Sequence, residues 1–228
     1  MSLIKLEHVS KHYNEGDGIV KALNNVSLDI VKGDFIAVCG PSGSGKSTLL
    51  SILGILNTPT NGEVIIDDIE VFTLGSEKKA DFRSDYIGFI FQAFWLIPYL
   101  TAIENVMLPL TISRYNNKEQ KNMAESVLKQ VGLGKKINKL PNQLSGGEIQ
   151  RVAIARAIVN EPEILLADEL TGNLDSKNSE EIMKLLINLN KKGKTIVMVT
   201  HEDNIAAYAA KRIHLFDGAI SNGKGDLK

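Results

Sequence analysis

Apolar and polar positions alternate in two early stretches, Ile4 to Val9 and Val26 to Ile30, the second setting Val26, Leu28 and Ile30 against Ser27 and Asp29. A period of two marks half-buried strands. Asn14-Glu15-Gly16-Asp17-Gly18 predicts a turn between them. Phe35-Ile36-Ala37-Val38-Cys39 is apolar without a break, as expected of a strand covered on both faces in a parallel sheet, and Leu49 to Leu53 continues as helix. Val64-Ile65-Ile66, after Asn61-Gly62, predicts a further strand. Tyr86 to Phe91 predicts a buried strand ending at Gln92. From there to about Asn160 the pattern turns helical. Lys118 to Val131 sets Met123, Val127, Leu128 and Val131 on one face, and Glu148 to Ile158 is rich in Ala, Ile and Val. The last third alternates again: strand Ile164–Ala167, helix Ser179–Leu189, strand Thr195–Thr200, a short helix near Asn204–Ala210 and strand Ile213–Phe216. Beyond Ser221 the tail is polar and expected to fray. This order predicts an α/β fold with a mainly parallel sheet and an N-terminal group of strands packed beside it.

Composition narrows the function classes. The 228 residues carry a formal net charge of -1, with both signs mixed, which argues against a nucleic-acid binder. The single cysteine, Cys39, excludes a disulfide framework and fits a reducing compartment. There is no signal peptide pattern and no apolar run of roughly 18 residues, so any membrane crossing falls to another chain. His8 and His12 are four apart but in a strand-like stretch, and His214 lies among apolar residues; no zinc cluster is expected.

Candidate chemistry begins at Gly40-Pro41-Ser42-Gly43-Ser44-Gly45-Lys46-Ser47-Thr48, between the apolar strand and the helix. It fits the phosphate-loop pattern G-x-x-x-x-G-K-[ST]. Gly40, Gly43 and Gly45 let backbone N–H groups turn inward, and the helix start adds positive charge. Lys46 would reach the β- and γ-phosphates, and Ser47 would ligate Mg²⁺. A nucleoside triphosphate is the implied ligand. The strand Ile164–Ala167 ends in Asp168-Glu169, whose side chains diverge. One can hold Mg²⁺ through water while the other orients or deprotonates the attacking water. Leu144-Ser145-Gly146-Gly147-Glu148 forms a second anion-binding helix start, with Ser145 as cap. One triphosphate needs no second phosphate device in the same chain.

Gly40–Ser47, Gln92, Leu144–Glu148, Asp168-Glu169, Leu174-Asp175 and His201 occur in the order and spacing of the ATP-binding-cassette (ABC) ATPases. The chain resembles that family along nearly its whole length. The resemblance implies a single domain: residues 1–91 and 161–228 as P-loop nucleotide core with an antiparallel β subdomain, and 92–160 as an inserted helical subdomain. It implies ATP and Mg²⁺, and two copies head to tail, so that Ser145, Gly146 and Gly147 contact ATP held by the other copy. Ser42 and Thr48 complete the phosphate loop. Tyr13 resembles the aromatic residue that stacks on adenine, and Gln92 the glutamine that senses Mg²⁺ and water. Glu169 resembles the catalytic glutamate and His201 the histidine at the γ-phosphate. Asp168 resembles the magnesium aspartate, and Asp175 the aspartate that bridges the copies.

Phe91 to Val106 and Thr171 to Ser176 resemble the subgroup serving lipoprotein release, macrolide or peptide efflux, and cell-division signalling. That resemblance implies a separate membrane permease partner and a place on the cytoplasmic face of the cell membrane. The function it implies is an ATPase driving efflux or release, or alternatively an ATPase in a complex signalling to cell-wall enzymes. Phe94, Trp95, Leu96 and Tyr99 are expected either to line a partner groove or to fill the helical core. Other P-loop classes fit less well. The roughly hundred residues between Ser47 and Leu144 leave no room for the long coiled-coil insertion of soluble cassette proteins. Asn138-Lys139-Leu140 is followed by Pro141, so a guanine-reading element is missing. Two departures stand out: Leu170 where the family commonly has proline, which should leave that segment less restrained, and Glu148 where glutamine is frequent.

Overall fold

The computed structural model describes residues 2–15 and 18–221. The centre of the turn expected at Asn14–Gly18 and the polar tail after Ser221 lie outside the described residues. The chain opens with β1 (Ser2–Glu15) and β2 (Gly18–Val31), antiparallel and each longer than its alternating stretch. The pattern hides their length because β1 bulges. His8 takes φ 52° opposite Asn25 at φ 53°, and their side chains meet at 2.9 Å. The register slips between Leu6 and Val9, which breaks the period of two.

Then follow β3 (Phe35–Cys39), α1 (Lys46–Leu53), β4 (Asn61–Ile66), β5 (Ile69–Glu70), α2 (Ser76–Tyr86) and β6 (Ile87–Ile90). Next come α3 (Ala102–Met107), a 3₁₀ turn at Leu108–Ile112, α4 (Asn117–Gln130) and α5 (Gly146–Ile158). The chain closes with β7 (Ile164–Asp168), α6 (Ser176–Lys191), β8 (Thr195–Thr200), α7 (Asp203–Ala206), β9 (Lys211–Phe216) and β10 (Ala219–Ser221). Strands β2, β1, β4 and β5 make a four-stranded antiparallel sheet. The second sheet runs β10-β9-β3-β8-β7-β6, parallel throughout except for β10.

The unbroken apolar strands divide two cores between them. Ala37, Cys39, Leu165, Ala167, Ile196 and Met198 face the cluster made by α3, α4, α5 and α6. Ile36, Val38, Ile164, Leu166, Val197 and Val199 face α1 and the antiparallel sheet. Side chains alternate across the pleat, so a strand covered on both sides must be apolar at every position.

Three expectations are corrected. Residues 93–101 are not helical: they form an irregular segment before α3. Helix α2 has no counterpart in the sequence reading, because only Phe82 is buried in an otherwise polar stretch, and its last residue is Tyr86, assigned there to a strand. The short helix α7 stops at Ala206 rather than reaching Ala210.

Gly88 sets how closely α5 approaches β6. A Cβ there would fall on the Ala157 carbonyl and lie 2.8 Å from Leu165 Cδ2. Gly88→Ala should therefore destabilise the fold by about 1–3 kcal/mol. A lowered urea midpoint at unchanged m-value is the expected reading, and an unchanged midpoint would contradict the close packing.

Candidate active site

Parallel register brings the site together. Cys39 stands opposite Thr200, and Asp168 opposite Val199, so β3, β8 and β7 end at one edge. The residues that follow these ends are Gly40, His201 and Glu169, and Gln92 follows β6 on the same edge. Loops at the carboxyl ends of parallel strands are where α/β sheets bind ligands.

The loop after β3 is shaped for anionic oxygen. A Cβ on Gly40 would strike the Leu215 carbonyl, and one on Gly45, at φ 100°, the Ala22 carbonyl. Lys46 is buried, and its Nζ donates to the Gly40 and Pro41 carbonyls, each at 2.8 Å. The Ser44 hydroxyl is buried and has no partner among the described residues. Ser42, Gly43, Gly45, Lys46, Ser47 and Thr48 line a hollow of about 260 Å³, with Glu169 at its side. Backbone donors and a buried ammonium fit a phosphate chain. Ser47, Gln92 and Asp168 carry the oxygen donors that would suit Mg²⁺.

Burial, together with the neighbouring Glu169 carboxylate, pushes the Asp168 carboxyl above its usual range, against the pull of Lys46. Glu169 has φ 41°, a conformation costing about 1–3 kcal/mol for a non-glycine residue. Its amide donates to the Val199 carbonyl at 3.1 Å, and its Oε1 lies 3.0 Å from His201 Nδ1. Leu170 is buried in the core. Its side chain thus fills core space at the position where the family commonly has proline. Gln92 is exposed beside the 171–173 turn, where Asn173 Nδ2 donates to its carbonyl at 3.2 Å.

The other predicted residues stand apart from the hollow. Tyr13, 38% exposed, receives a 2.5 Å hydrogen bond from Asn57 Nδ2 on its hydroxyl and holds Lys11 Nζ 5.0 Å from its ring centre. Ser145 caps α5 in a reciprocal box with Glu148. Ser145 and Gly146 are exposed; Gly147 packs against Asn178, where a Cβ would strike the side-chain oxygen. Asp175 caps α6, accepting from the Asn178 amide at 2.8 Å, which holds its carboxyl below the usual range. The two helix starts are thus neighbours, and neither lines the Lys46 hollow of its own chain. Sequence reasoning missed Val20, Lys21 and Ala22, which line the hollow from β2. Val20 pairs with Tyr13 across the strands, a relation only the register reveals.

The ABC transporter family profile matches residues 23–172. The chain belongs to the ABC transporter family. The ABC transporter ATP-binding protein MJ0796 of Methanocaldococcus jannaschii is 51% identical over 224 residues, 96% of this chain and 95% of its own. The lipoprotein-releasing system ATP-binding protein LolD of Rickettsia bellii is 47% identical over 220 residues, 96% and 97% of the two chains. The macrolide export ATP-binding/permease protein MacB of Chlorobium phaeobacteroides is 50% identical over 218 residues, which is 96% of this chain but 33% of MacB. The dimeric post-hydrolysis structure of MJ0796 bound to ADP and Pi matches with a TM-score of 0.88 at 49% identity, over 96% of this chain and 97% of that one. The chain is an ABC-type ATPase, of the LolD- and MacB-like kind.

Glu148 does more here than glutamine could. It returns a bond to the Ser145 amide at 3.1 Å and pairs with Lys136 at 2.5 Å. Lys136, with the Ser145 N–H, holds its carboxyl below the usual range. A depressed carboxyl contributes stability above its unfolded pKa and loses it as pH falls through the folded value. Glu148→Ala should cost about 1 kcal/mol at neutral pH. The gap to wild type should close in acid, below about pH 4. Urea titrations across that range check both the size and the sign.

Proposed function

We propose that this chain is the ATP-hydrolysing subunit of an efflux or release transporter, closing head to tail on a second copy around two ATP molecules. The observation that carries this is the placement of the Ser145-Gly146-Gly147 helix start. It is a capped, partly exposed anion site that does not line its own chain's phosphate hollow. A second copy gives it a triphosphate to bind. That MJ0796 is a dimer when bound to ADP and Pi supports the pairing of two copies.

In this reading Lys46 exchanges its two carbonyl partners for phosphate oxygens, while the loop amides from Gly43 to Thr48 hold the rest of the chain. Tyr13 stacks on the adenine. Ser47, Gln92 and Asp168 would hold Mg²⁺, which would supply charge neutralisation for the phosphate chain. Glu169 orients the attacking water and takes its proton. His201, already 3.0 Å from Glu169, positions that carboxylate and contacts the γ-phosphate. Asp175, at the start of α6, bridges the copies.

No helix among the described residues is long and apolar enough to cross a membrane. The transporter reading therefore calls for a membrane permease partner, with this chain on its cytoplasmic face. A hollow of about 380 Å³ lined by Phe89, Phe91, Trp95, Pro109, Ile112 and Arg156 offers that partner an apolar seat. Trp95 and Tyr99 are 67% and 78% exposed, whereas Leu96 packs on the core, so the aromatic stretch divides between the two expected roles. LolD and MacB, named for lipoprotein release and macrolide export, support export over import.

Glu169→Gln should lower ATP turnover by about 10²–10⁴-fold and trap a closed dimer. Size-exclusion chromatography with saturating ATP and Mg²⁺ should show the variant eluting as a dimer. A variant that binds ATP yet stays monomeric would remove the shared-site reading.

A further inference from the structure

The segment between Gln92 and α3 carries large side chains in a conformation that suits glycine. Phe94 has φ 58° and Trp95 φ 50°, consecutive residues in the left-handed region. Such a pair persists only where its surroundings fix it. Two side chains from outside the segment do so. At its far end the fully buried Asn105 accepts from the Ile97 amide at 2.7 Å and donates to the Ile97, Leu100 and Thr101 carbonyls. At its near end Arg156 donates to the Phe94 carbonyl at 2.7 Å and to the Trp95 carbonyl at 2.5 Å.

Arg156 is placed unusually for an arginine. It lies in the last turn of α5, half-buried, with no carboxylate partner among the described residues. Both of its bonds fall on backbone carbonyls more than sixty residues earlier. A planar guanidinium can span two adjacent carbonyls, which a lysine ammonium cannot do with the same geometry. The other end of α5 is the Ser145 start, about 16 Å away at 1.5 Å per residue.

We propose that Arg156 is a positioning residue that ties the turn after Gln92 to the end of α5 remote from Ser145. Through it, the Ser145 anion site, Gln92 and the exposed Trp95 edge of the apolar hollow move as one body. The inference rests on the ATP-driven closure proposed above. Arg156 touches neither nucleotide nor water in that scheme. It transmits the position of α5 to the surface that meets the membrane partner.

Trp95 is the chain's one tryptophan, so its emission and acrylamide quenching report on this turn alone. The test compares wild type, Arg156→Ala and Arg156→Lys in the Glu169→Gln background, with and without Mg-ATP, alongside ATP affinity from equilibrium dialysis. Wild-type Arg156 should give a nucleotide-dependent change in Trp95 quenching. Arg156→Ala should reduce that change at least fivefold while ATP affinity stays within twofold. Arg156→Lys, which keeps the charge and the fold, should recover less than half of it. A full response in either variant overturns the tie, as does ATP binding that leaves Trp95 unchanged in the Arg156 protein. Loss of ATP affinity and response together in Arg156→Lys would mark a merely structural role and overturn it too. If the parent protein fails to bind ATP at all, the fault lies with the site assignment and not with Arg156.

Discussion

The register between β3, β8 and β7 is the constraint on which the site depends. Each of these strands is apolar on both faces, and each loses its apolar character at the same edge. Because Cys39, Thr200 and Asp168 end in line, the phosphate loop, His201 and the carboxylate pair become neighbours, and the Glu169–His201 contact joins groups that the ladder has already aligned. A shift of one residue in β7 would swap its two core faces and carry Asp168 away from Lys46 at once. Packing and chemistry are therefore specified by the same alternation.

That shared cause explains what could be foreseen. The phosphate loop, the Asp168-Glu169 strand end and the Ser145 helix start are local patterns flanked by strong apolar runs, and each falls where the sequence placed it. What escaped is held by residues distant in the chain. The bulge at His8 depends on Asn25 across the hairpin, and so the length of β1 does not show in its alternation. Residues 93–101 fall in a stretch whose pattern reads as helical, yet Arg156 holds the Phe94 and Trp95 carbonyls and Asn105 those of Ile97, Leu100 and Thr101. Helix α2 has one buried side chain and hence no stripe to detect. Val20 joins the nucleotide hollow only through its pairing with Tyr13.

The helix starts show a consistent division of labour. Thr101, Asn116 and Ser145 each cap with a glutamate three residues on, which closes the first turn. Gly45 caps α1 with no side chain, leaving the first amides of that helix for an external anion. A side-chain cap satisfies a first-turn amide from within the chain, whereas the Gly45 start leaves its amides open. Ser145 stands between the two, since its box satisfies its own turn while the flanking glycines still leave the helix end accessible.

Lys46 has a consequence for what may enter. An ammonium has three donors, and two are already spent on Gly40 and Pro41. A small monovalent anion can engage the third donor but gives no reason to break that pair. A polyphosphate replaces both contacts with charged oxygens and engages the loop amides in the same motion. On the proposed function, the closed lysine opens for a visitor that makes several attachments at once, which sets a polyphosphate chain apart from a single anion.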